Sequence, residues 1–154
     1  MRDVTDGPAP PPDPDGPPDG ENLLANGDFE NGDVGWFDCA EASLTNVSGE
    51  ARGGAGAMEV DGAGCLFQEF AARPGATYAV SCEARSAGPR YTSLSARVTD
   101  GAYVELASAA VPVGRDAYNA YRTELAAPAD AVHGAVTLYS EDRGLFDDCA
   151  VVER

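Results

Sequence analysis

From residue 22 onward, apolar residues recur at every second position in short runs, and glycines and prolines separate the runs. A side-chain period of two belongs to strands, whose successive residues face opposite sides of a sheet, and no useful window carries a helical period. Many short strands with turns at this spacing predict an all-β sandwich or barrel. The alternation places strands near residues 22–30, 37–46, 56–61, 64–72, 76–86, 91–99, 102–108, 117–126, 131–140 and 145–153. Arg73-Pro74-Gly75-Ala76-Thr77-Tyr78 reads as a turn feeding a strand, because proline presets one turn position and glycine frees the next.

At 154 residues the chain has the length of one domain. Residues 1–21 hold most of the prolines, six acidic residues and no aromatic. Such a segment cannot bury enough apolar surface to offset chain entropy, so it is expected to be a disordered Pro/Asp-rich linker, with the folded domain over 22–154. Ten basic and 26 acidic residues give a net charge of −16, and every base is an arginine. That balance argues against nucleic acid and against an anionic membrane surface, both of which need clustered cations. It suits solubility in a salty or extracellular medium. No apolar run reaches the roughly 18 residues that span a bilayer, so membrane insertion is not expected. No hydrophobic segment follows Met1-Arg2-Asp3 as a signal peptide requires; either a signal was removed or the chain is cytosolic. Cys39, Cys65, Cys82 and Cys149 favour removal, since they lack Cys-x-x-Cys spacing, have a single histidine for company, and so read as two disulfides of a secreted or surface protein. Four cysteines leave three pairings open. The abundance of Ala, Gly, Arg, Asp and Pro without lysine suggests a GC-rich bacterial source.

Catalysis finds little support. His133 is the one imidazole, no Gly-x-Ser-x-Gly elbow accompanies it, and with 26 acids some carboxylate pair always meets a glycosidase spacing. The chain is expected not to be an enzyme.

Two stretches at opposite ends of the folded region point further. Asn22-Leu23-Leu24-Ala25-Asn26-Gly27-Asp28-Phe29-Glu30, followed by Gly35-Trp36, and Leu145-Phe146-Asp147-Asp148-Cys149-Ala150-Val151 together resemble carbohydrate-binding modules of the family 4, 9 and 22 group. The Pro-Gly-x-x-Tyr corner at 74–78 matches them too, and the resemblance covers about residues 22–153. It implies an antiparallel jelly-roll sandwich of the galactose-binding-like kind, and a non-catalytic domain that takes a polysaccharide or oligosaccharide on one concave sheet. It also implies that the strand 76–86 lies beside 145–153, where alternation puts Asp147, Cys149 and Val151 on one face. A Cys82–Cys149 bridge then follows, leaving Cys39–Cys65. A structural Ca2+ is implied as well, held by Glu30 and Asp147, with Asp28 and Asp148 as adjacent alternatives and carbonyls of residues 53–56 completing its shell.

For the glycan itself, an aromatic face must meet the C–H side of a ring and planar polar groups must meet its hydroxyls. Leu66, Gln68 and Phe70 share one parity and leave Phe67 and Glu69 outward; Leu94, Ala96 and Val98 leave Ser93, Ser95 and Arg97; Val132, Gly134, Val136 and Leu138 leave His133, Ala135, Thr137 and Tyr139. On neighbouring strands, Phe67, Glu69, Arg97, His133 and Tyr139 form an aromatic and polar patch. His133 has a plainer reading as a half-exposed strand residue. Trp36 is either a stacking platform at the rim or packing against the sandwich edge. Tyr78 and Tyr121 match inward positions, while Tyr91, Tyr103 and Tyr118 stand at loops or strand starts, where a rim would be. The competing reading is a structural or assembly domain of a bacterial surface lipoprotein or appendage, docking its N-terminal tail on a neighbouring surface-protein subunit.

Overall fold

The computed structural model describes residues 21–30, 34–38, 43–46, 57–61, 64–88, 90–114 and 117–154. The expected linker, apart from Glu21, lies outside them, as do Cys39 and residues 53–56. The described strands are β1 (Phe37–Asp38), β2 (Ser43–Asn46), β3 (Met58–Asp61), β4 (Gly64–Ala71), β5 (Thr77–Ser86), β6 (Thr92–Thr99), β7 (Glu105–Pro112), β8 (Asn119–Ala126), β9 (His133–Ser140) and β10 (Arg143–Glu153). They build two antiparallel five-stranded sheets, ordered β1-β4-β9-β6-β7 and β2-β3-β10-β5-β8. Leu66 and Phe70 of β4, Val136 and Leu138 of β9, and Leu94 and Val98 of β6 face inward from the first sheet. They meet Tyr78 and Val80 of β5 and Phe146 and Val151 of β10 from the second. Each such buried side chain contributes about 1.5–3 kcal/mol relative to exposure.

The Pro74-Gly75 corner forms as a type II turn. Gly75 has φ +82°, the Ala76 amide donates to the Arg73 carbonyl, and the Arg73 amide donates to the Tyr78 hydroxyl at 2.7 Å. A turn with positive φ at its third position favours glycine there.

Four expectations are corrected. Residues 22–30 form bends and turns rather than a strand, with Asn26 and Phe29 at positive φ. Side chains replace the missing ladder: Asn22 accepts from the Val151 amide and donates to the Cys149 carbonyl, while Gln68 bonds both the amide and the carbonyl of Ala25. The segment is thus fastened to β10 of one sheet and β4 of the other. Second, residues 37–38 and 43–46 are not one strand but lie in different sheets. Third, β7 starts at Glu105, because the Asp100 carboxylate accepts from the Ala102 and Val104 amides and holds 100–104 as a loop. Fourth, Val132 precedes β9 and is 44% exposed, so it is no core residue; Ala131 is buried beside it.

The most consequential departure is in β10. Its pairing with β5 runs Asp147 opposite Glu83 and then Ala150 opposite Ser81, so Asp148 and Cys149 together span one β5 residue. This is a β-bulge, and Asp148 takes φ +48° to make it. Alternation had Asp147, Cys149 and Val151 on one face. The inserted residue instead turns Asp147 to the side of the sheet away from the core, beside Glu83, where it is still fully buried, and sends Cys149 and Val151 into the core. There Cys149 is disulfide-bonded to Cys82, with Cα atoms 4.1 Å apart. Cys65 is disulfide-bonded as well, and its expected partner Cys39 lies outside the described residues.

Candidate functional site

The three strands expected to share a patch are consecutive in the first sheet, in the order β4-β9-β6. Their register builds the face row by row. Phe67 stands opposite Thr137 and Thr137 opposite Ser95; Glu69 stands opposite Ala135 and Ala135 opposite Arg97. One row further along, Tyr139 stands opposite Ser93; toward the other end, His133 stands opposite Thr99. Glu69 and Arg97 are exposed, while Phe67, Thr137, Tyr139 and His133 are half-buried with accessible edges. Phe67, Glu69, Arg97, His133 and Tyr139 therefore share the outer face of one sheet.

Each aromatic of that face has a ring neighbour. Phe67 pairs across strands with Phe37 at a centroid distance of 5.9 Å. Tyr139 meets Tyr91 at 6.2 Å, and its hydroxyl donates to the Glu141 carboxylate at 3.3 Å. His133 stacks flat against Tyr103 at 4.3 Å. His133 and Tyr139 are six residues apart on β9, or about 20 Å at the strand rise of about 3.3 Å. The face is therefore longer than one sugar ring, with aromatic pairs at both ends and at the β1 edge. Desolvation, followed by the neighbouring Glu141 charge, pushes the Tyr139 phenol up, further from the neutral range in which a tyrosine is already a proton donor.

Phe37, 61% exposed, was missed by sequence reasoning. Its signal was its neighbour: Trp36 and Phe37 have opposite parities, so burying one exposes the other. Trp36 itself is corrected from a candidate ligand platform to a core residue. It is buried, packs on the fully buried Phe29 at 5.1 Å, and donates its indole N–H to the Asn26 carbonyl at 3.1 Å. Tyr78 is buried as expected; Tyr121 is half-buried against the core, where its hydroxyl accepts from the Gly114 amide. Tyr91 and Tyr103 adjoin the face, whereas Tyr118 lies against Arg85 of the second sheet, away from it.

The acids singled out for calcium lie at the junction of the N-terminal segment with β10. Asp28 and Asp148 line a cleft of about 510 Å³ there, joined by Glu83, Asn22 and Asn26. Asp28 is exposed and accepts from the Glu30 amide, the geometry of a turn cap. Glu30 is exposed; Asp147 is fully buried and accepts from the Asp148 amide. The donors are hard oxygens of the right kind. Among the described residues, no three His, Cys, Asp or Glu side chains converge as a metal-ligand group.

No protein-family model matches the chain, and no curated protein sequence matches it. Solved structures do. A family 16 carbohydrate-binding module superposes with a TM-score of 0.68 at 18% identity, over 85% of this chain and 99% of its own. The Clostridium thermocellum xylanase 10B CBM22-1–GH10 modules, solved with xylohexaose, match with a TM-score of 0.70 at 19% identity over 88% of this chain. The chain has the jelly-roll fold of carbohydrate-binding modules. The enzymatically active domain of bacteriophage CBA120 tailspike protein 4 contains a similar unit, with a TM-score of 0.72 at 13% identity over 86% of this chain. The chain spans 21% of that tailspike chain and 29% of the xylanase chain.

Proposed function

We propose that this is a non-catalytic carbohydrate-binding domain that takes a glycan on the outer face of the first sheet. The observation that carries the reading is the accessible face on β4, β9 and β6, where aromatic pairs surround a central strip of Glu69, Arg97, Ser95 and Thr137. Aromatic edges and faces accept the apolar side of a sugar ring, while the carboxylate, guanidinium and hydroxyls match its hydroxyls. Affinity electrophoresis over a broad panel of soluble polysaccharides is the test. Tyr139→Ala and Phe67→Ala should each weaken binding about tenfold, equivalent to about 1.4 kcal/mol, with the melting curve preserved. Unaltered retention in both variants would move the site off this face.

The same reading places the chain outside the cell, on or released from a bacterial surface, which the Cys82–Cys149 disulfide and the acidic composition support. It also retains a structural calcium that clamps the N-terminal segment to β10. Glu30 and Asp147, or the adjacent Asp28 and Asp148, would hold it, and its role would be stability rather than glycan contact. A cation bound only by the folded state adds about 2.7 kcal/mol at a hundredfold excess over its Kd. The melting temperature should therefore rise by several degrees in excess calcium over chelator, and Asp147→Asn should remove the rise. Superimposable melts with and without calcium would dispose of the clamp.

A further inference from the structure

We infer that the glycan taken on this face carries a carboxylate, as an isolated uronic acid group on an otherwise neutral chain, and that Arg97 is the residue that reads it. The inference rests on the glycan-binding proposal and narrows its ligand class.

The arginines of the structure sort into two groups. Arg73 pairs with Glu153, Arg143 with Glu59, and Arg122 and Arg154 with Glu124, while Arg85 lies over the Tyr118 ring. Arg97 and Arg90 have neither a carboxylate nor a ring partner among the described residues, and both are exposed. Arg97 lies within β6 and Arg90 two residues before it, beside Tyr91 of the Tyr91–Tyr139 pair. In a chain with 26 acids against ten bases, the described arginines without a partner both border the candidate glycan face.

The nearest neighbours of Arg97 carry no charge. They are Ala135 on β9 and Ser108 on β7, with Ser95 and Thr99 flanking it on β6. Glu105 of β7 is exposed one row along, opposite Thr99. Glu69 occupies the same row but on β4, beyond Ala135, two strand spacings or about 10 Å away. The row thus has a carboxylate at one end and a guanidinium at the other, with the small, buried Ala135 between them. A sugar lying over Ala135 presents hydroxyls to Glu69 and, at its other side, a planar carboxylate to the Arg97 fork. A guanidinium binds a carboxylate through two parallel charge-assisted hydrogen bonds, which a neutral hydroxyl cannot match. The net charge of −16 sets the density: a polymer with an acid on every ring is repelled as a whole, whereas a sparse uronate is met by the local positive charge.

The test compares one polymer with itself. Xylan bearing occasional glucuronic acid groups is immobilised beside the same xylan after its carboxyls have been reduced to alcohols, with polygalacturonate and a sulfated, uronate-free galactan as further arms. Expected is at least tenfold tighter retention on the native xylan than on the reduced one, and little on polygalacturonate at low salt. Arg97→Gln should bring retention on native xylan down to that on the reduced xylan, and Arg97→Lys should restore part of the difference. Equal binding to native and reduced xylan would overturn the carboxylate inference and leave the glycan reading standing. Preference for the sulfated galactan would likewise overturn it. Binding to a different, wholly neutral polysaccharide alone would do the same, and retention on no glycan at all would remove both.

Discussion

Cys82→Ala combined with Cys149→Ala should lower stability by about 4 kcal/mol. The bridge closes a loop with a sequence separation of 67, and a cross-link over that length removes about that much conformational freedom from the unfolded chain. It joins β5 to β10, the pair at the centre of the second sheet, at the point where the bulge breaks their ladder. The bridge therefore secures the one irregular place in an otherwise continuous pairing. Urea unfolding of the double variant should show a lower midpoint and a steeper slope, because an unfolded chain freed of the link exposes more surface. A loss below about 1 kcal/mol would mean that the bridge removes little conformational freedom from the unfolded chain.

Gly27→Ala should destabilise the domain by about 3 kcal/mol, through overpacking rather than backbone strain. A Cβ on Gly27 would fall 2.0 Å from the Cys149 carbonyl oxygen and 3.1 Å from its carbon. Neither partner can retreat. Gly27 accepts the Cys149 amide at 2.7 Å, and Asn22, Leu23 and the Cys82 link hold the same stretch of β10 from other sides. The variant should melt on the order of 10 °C lower, and the N-terminal segment should become the first site of limited proteolysis. A near-unchanged melt would show that residues 22–30 dock without needing the close approach at Gly27.

Both variants act on the junction that the Asn22–Glu30 motif forms. Asn22 bonds two groups of β10, Leu24 and Phe29 enter the core, Asn26 receives the Trp36 indole, and Gly27 makes way for Cys149. The motif closes one end of the sandwich, so its likeness to carbohydrate-binding modules is a likeness of fold. The candidate glycan face is the outer side of the first sheet, and its chemistry comes from strand residues that belong to no motif. Mutations at the junction should therefore cost stability with little change in the ligand preference of the folded fraction.

The period-two alternation by itself determined that the chain is all-β, where most strands run, and which side chains of β4, β6 and β9 face outward, because a pleated strand has only two faces and a core claims one of them. Phe67, Glu69, Arg97, His133 and Tyr139 were legible for that reason. Tertiary structure alone decided what pairs with what. The Asp148 bulge turned Asp147 away from Cys149; Phe29 captured Trp36; β1 brought Phe37 to Phe67; and the loop at Asp100 set Tyr103 on His133. Each of these depends on contacts between residues distant in the chain or on a single residue at positive φ, and local periodicity records neither. A one-residue insertion in a ladder leaves almost no trace in composition, yet it reverses the side of the sheet on which every following side chain appears.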